Sequence, residues 1–113
     1  EIIHLLLDHG ADIDLPCEMG TALQMAALFG HKESVCLLLS RGANVNLKAG
    51  WHNTALVAAS SRNNHDIVRI LLEHDADIDA KSERFGSALR VASEAGHKAI
   101  YELLIKHGAQ VDL

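Results

Sequence analysis

A chain of 113 residues, 49% hydrophobic and 22% charged, has the size and composition of one small globular domain rather than a disordered segment. Ten Lys and Arg against fifteen Asp and Glu leave a net charge of −5 with no basic face for nucleic acid, and no apolar run approaches the roughly 18 residues of a membrane span. Aromatic residues are only 4%, so the core must be aliphatic, and two cysteines, Cys17 and Cys36, are too few for a disulfide framework and fit a reduced intracellular setting, cytoplasmic or nuclear.

The chain starts at Glu1 inside an apolar run, EIIHLLLDHG, that predicts a helix over 1–9. After an extended stretch, TALQMAALFGH predicts a helix over 21–29, and KESVCLLLSR a second over 33–41 that stops at Gly42. The order then recurs. TALVAASSRNN predicts a helix over 54–62, followed by one over 66–74 that stops at Asp75. SALRVASEAGH predicts a helix over 87–95, followed by one over 99–107 that stops at Gly108. Thr21, Thr54 and Ser87 are 33 residues apart, and Ala11, Ala43, Ala76 and Ala109 are spaced by 32, 33 and 33. A fixed period of this length marks a repeat architecture.

Each unit reads as two short helices and an extended loop. Ala22, Ala55 and Ala88, with Ala26, Ala59 and Ala92, form two columns of small residues that let first helices pack closely. The second helices are apolar almost all round, as in AIYELLI, and need burial from their partner helix and from both neighbouring units. Two slots stay mostly polar: His4, Cys36, Arg69 and Glu102, and four residues later Asp8, Ser40, Glu73 and Lys106. They share one face, expected to meet solvent. Glycine at 10, 42 and 108 fits a left-handed C-terminal cap; Asp75 takes that slot at a cost of order 1 kcal/mol.

With TALQMAA…GH…VCLLLSRGANVN and the period of 33, the chain resembles the ankyrin repeat family. The resemblance covers its whole length as a single array, one half-repeat (1–15) and three repeats (16–47, 48–80 and 81–113). The family's Thr-Pro-Leu-His opening is altered: Ala22, Ala55 and Ala88 replace the Pro, Gln24, Val57 and Arg90 the His, and the loop glycine moves one place later to Gly20 and Gly86. GTALQ and FGSALR are similar to divergent arrays in large fungal multidomain proteins.

The resemblance implies an all-α repeat fold, an α-solenoid of stacked helix-turn-helix units with hairpin-like loops along one edge. It implies no catalysis and no cofactor. It implies a protein–protein interaction module, whose partner (another protein, or another domain of the parent chain) lies across the loop tips and the concave first-helix face. The isolated array is expected to be a monomer. The alternative is a structural spacer or an intramolecular regulatory arm of a larger protein. Ile2, Ile3, Leu5 and Leu6 lack a first-helix partner in this sequence, which predicts further repeats ahead of them in a longer parent.

Counting back from Thr21, Thr54 and Ser87 gives the tip slots Glu18 and Met19; Gly50, Trp51 and His52; and Glu83, Arg84 and Phe85. The outward end of the first helix adds Leu28 and Phe29, Ser61 and Arg62, Glu94 and Ala95. By resemblance these slots carry specificity. The candidate partner-binding residues are therefore Glu18, Met19, Phe29, Trp51, His52, Arg62, Glu83, Arg84, Phe85 and Glu94. Met19, Trp51, Arg84 and Phe85 are of types enriched at interface centres. Met19 and Phe85, in the slot shared with His52, are expected to pack against a neighbouring loop; Trp51, one place earlier, is expected to face a partner.

Catalytic and metal chemistry find little support. His31 and His97 share a slot, as do His9, His74 and His107. Stacked helices lie about 8–10 Å apart, whereas zinc needs four ligands at about 2.0–2.3 Å, so no metal site is expected. His31 and His97 read instead as loop imidazoles bonded to backbone. No Gly-rich phosphate loop follows a strand and no Gly-x-Ser-x-Gly elbow occurs. Cys17 and Cys36 have no paired base that the sequence establishes and read as unreactive. Asn46, in GANVN, matches a position hydroxylated in some ankyrin repeats, and reads first as a brace of its loop.

Overall fold

The computed structural model describes residues 20–109. They form three helix pairs: α1 (Ala22–Leu28) with α2 (Lys32–Ser40), α3 (Ala55–Ser61) with α4 (His65–Glu73), and α5 (Ala88–Ala95) with α6 (Lys98–Lys106). A short antiparallel hairpin, β1 (Lys81–Ser82) and β2 (Gly86–Ser87), precedes α5 and pairs Lys81 with Ser87 and Ser82 with Gly86. The helix predicted over 1–9, together with Cys17, Glu18 and Met19, lies outside the described residues.

The three first helices begin for one reason. Thr21, Thr54 and Ser87 are extended in backbone and accept the N–H of Gln24, Val57 and Arg90 on their side-chain oxygens. Such a cap satisfies an orphan donor and is worth about 1 kcal/mol. At α1 the Gln24 amide also reaches back to the Thr21 N–H at 2.8 Å, completing a capping box.

First helices stack on first helices, α1 on α3 on α5, and second helices follow in the order α2, α4, α6. The resulting body is elongated, 46 × 24 × 20 Å. Ala26, Ala55, Ala59, Ala88 and Ala92 are all buried between first helices, as their column predicts. Ala22 departs from its column and is exposed, because among the described residues no first helix covers its outer side. Leu56, Val68, Leu71, Ile100 and Leu104 fill an aliphatic core that continues from pair to pair. On the second helices Cys36, Ser40, Glu73, Glu102 and Lys106 are exposed, and half-buried Arg69 pairs with Asp66 at 3.9 Å and Glu73 at 3.5 Å.

Two sequence expectations need correction. Leu28 does not face outward with Phe29; it is buried against the core. The second helices also begin one residue early, at Lys32, His65 and Lys98, after N-cap residues His31, Asn64 and His97 that make no side-chain cap bond. Two of these side chains are used elsewhere. Asn64 Nδ2 donates to the Ala27 carbonyl at 2.8 Å, and His97 Nδ1 lies 3.0 Å from the Ser60 carbonyl. Each thereby engages a carbonyl near the C-terminus of the first helix of the preceding pair, α1 for Asn64 and α3 for His97, in a helix turn whose carbonyls lack intrahelical donors.

Amides fasten the loops in the same way. Gln24 Nε2 donates to the carbonyls of Leu47 (3.1 Å) and Asn53 (2.9 Å) in the next loop. Asn53 Nδ2 repeats the contact one loop on, to the Lys81 carbonyl at 2.8 Å. Asn46, expected to brace its own loop, instead braces the next one, donating to the Asp75 carbonyl at 3.1 Å and accepting the Asp77 N–H at 2.6 Å.

Candidate functional site

A single hydroxyl shapes the loop before α5. Buried Ser82 donates its Oγ hydrogen to the Trp51 carbonyl at 2.9 Å and accepts the N–H groups of Arg84 (3.1 Å) and Phe85 (3.0 Å). One donor and two lone pairs are then all engaged. The same slot holds Ala49 one repeat earlier and Pro16 before that, and neither side chain has a hydroxyl to offer.

Four side chains gather around this pin. The Arg84 guanidinium carbon lies over the Trp51 ring, 5.1 Å from its centroid, and 5.8 Å from that of Phe85. The His52 ring stacks on Phe85 with centroids 4.8 Å apart and planes 16° from parallel. Exposed cation–π contacts are worth about 0.5–1 kcal/mol and aromatic pairs about 0.5–1.5 kcal/mol, enough to bias the tip toward one arrangement. Phe85 is half-buried, packed against the aliphatic core and stacked on His52 of the preceding loop. Trp51 lies against Arg84 yet stays 61% exposed.

Burial holds the His52 imidazole below its ordinary pKa of 6.5, and the positive charge of Arg62 pushes in the same direction. Both favour the neutral ring that stacks on Phe85. Between the two loops runs a groove of about 420 Å³ lined by Gly50, Trp51, Asn53, Lys81, Glu83 and Arg84.

The structure thus brings Trp51, His52, Arg84 and Phe85 together, sets Glu83 on the groove and places Arg62 near His52. Phe29 closes α1 and is 53% exposed, and Glu94 on α5 pairs with Arg90 at 3.4 Å; the contacts of the loop cluster do not include either residue. Sequence reasoning missed Ser82 and Asn53, which orient the tips without standing on them. The available signals were a hydroxyl where the other repeats carry Ala and Pro, and an Asn with φ 67 where they carry Gly20 and Gly86. Among the described residues no group of three His, Cys, Asp or Glu side chains is placed to hold a metal ion, and no helix is long and apolar enough to cross a membrane.

A family model for ankyrin repeats, in three copies, matches residues 1–49 and 47–113. A segment of 59 residues, 50% of the chain, is 44% identical to the ankyrin repeat and KH domain-containing protein mask of Drosophila melanogaster, and covers 2% of that protein's length. Members of the matched family are generally protein-interaction modules without catalytic activity. Period, capped helix pairs, side-chain braces between loops and the match along both halves agree: the chain belongs to the ankyrin repeat family.

Proposed function

We propose that the array binds a protein partner across its loop tips and the adjoining ends of its first helices, with the Trp51–Arg84–Phe85 cluster as the centre of contact. The observation that carries this reading is the exposed indole on a fixed base. Trp51 is 61% exposed, while its carbonyl is held by buried Ser82. A large side chain already restrained in the free protein loses little freedom on binding. Covering about 150 Å² of it contributes roughly 4 kcal/mol before association costs. Single exposed apolar residues are common, but this one is joined by a guanidinium, an imidazole and a groove.

Affinity recovery from cell extract with the wild type and with the double variant Trp51→Ala/Arg84→Ala tests the site. Loss of a wild-type partner from the variant is expected. Equal recovery of every partner by both proteins removes this surface as the binding site.

A further inference from the structure

The groove between the two loops also indicates which chemistry it recognises. The Arg84 guanidinium carbon lies 5.1 Å from the Trp51 ring centroid and 5.8 Å from that of Phe85. A cation–π contact supplies no lone-pair acceptor, so the planar fork of N–H donors can still take a carboxylate. Two other arginines have their charge answered: Arg69 by Asp66 and Glu73, Arg90 by Glu94. Among the described residues no carboxylate lies within ion-pair distance of the Arg84 guanidinium. The groove lining carries Lys81 and Arg84 against Glu83, a net positive charge in a chain of net charge −5. The volume of about 420 Å³ has room for one or two side chains of a segment crossing it.

We infer that this groove takes an extended acidic peptide segment, with an Asp or Glu carboxylate held by the in-plane donors of Arg84 and a neighbouring apolar side chain laid on Trp51. The inference rests on the proposal that the loop edge binds protein, and narrows it to the chemistry of the bound segment. Glu83 on the groove and a single guanidinium favour a carboxylate over a phosphate dianion, which calls for a cluster of arginines.

The test uses the whole chain and a phage-displayed library of random linear peptides, with peptides that also bind Trp51→Ala/Arg84→Ala subtracted. Both replaced residues are exposed, and circular dichroism melting confirms that the variant is folded. The subtracted pool is expected to be rich in Asp or Glu beside aromatic or long aliphatic residues. For a synthetic peptide from that pool, Arg84→Ala weakens binding about tenfold, and so does changing the peptide's acid to its amide. The two changes together cost no more than either alone, because both remove one contact. Arg84→Lys recovers only part of the loss, since charge returns without the fork. A pool dependent on Trp51 but without acidic enrichment overturns the inference while leaving the binding surface in place. If every peptide that binds the wild type also binds the double variant, both readings are overturned. An empty subtracted pool overturns the inference.

Discussion

The Ser82 hydroxyl lies 2.9 Å from the Trp51 carbonyl, 31 residues away in sequence, and accepts two N–H groups of its own loop at the same time. One buried side chain thus joins two loops and folds one of them. Ser82→Ala strands two donors and an acceptor, and is expected to cost about 1–3 kcal/mol. Chemical denaturation measures the loss. Trp51 is the only tryptophan, so its fluorescence anisotropy should also fall as the tip loosens. An unchanged midpoint with unchanged anisotropy would show that the three bonds contribute nothing.

Asp75 occupies φ 67 at the end of α4, where Gly42 and Gly108 take φ 91 and 93 after α2 and α6. A side chain in that region is strained, whereas glycine is not. Asp75→Gly is expected to raise stability by up to about 1 kcal/mol and the melting temperature by several degrees. The Asn46 bond is to the Asp75 backbone carbonyl and survives the change. A lowered melting temperature counts against strain at this residue.

Asn46 holds both the Asp75 carbonyl and the Asp77 N–H of the next unit. Asn46→Ala removes both bonds and is expected to cost about 1–2 kcal/mol at this exposed position. Because neighbouring repeats are coupled through such contacts, the unfolding transition should also broaden. Urea titration followed by circular dichroism reads both effects. Loss of stability with no broadening would mean that the brace acts within its unit only.

His52 makes stability depend on pH. Its folded pKa is lowered from 6.5, by burial first and then by Arg62. Above pH 6.5 both folded and unfolded forms are mostly neutral, and the contribution is fully present. As pH falls through 6.5 the unfolded chain takes the proton first, so stability drops until the folded pKa is passed. Denaturation midpoints should fall over this window, and His52→Gln should flatten that part of the profile. An identical profile in the variant would assign the dependence to other groups.

Much of the fold was legible because the period writes the same instruction three times. Thr21, Thr54 and Ser87 announced the first helices, and their caps match. The second helices start one residue ahead of their expected positions, while His97 is bonded to backbone as expected, at the Ser60 carbonyl of the preceding repeat, and Asn64 makes the equivalent bond to Ala27. A bond between residues 37 apart leaves no local pattern. Leu28 was misread as outward because one helical step separates a buried slot from exposed Phe29. The tip residues could be found by counting. Their grouping could not, because it depends on Ser82, whose slot carries no hydroxyl in the other repeats.

The hydroxyl that holds Trp51 and the guanidinium over it both belong to the following loop. The Trp51 loop is therefore not a self-contained cassette. Transplanted alone into another scaffold, residues 49–54 would carry an indole without its anchor. The smallest portable piece runs over 49–87, two loops with the helix pair between them. Diversification of this edge, by selection or by design, has to treat adjacent loops as a linked pair of letters rather than as independent ones.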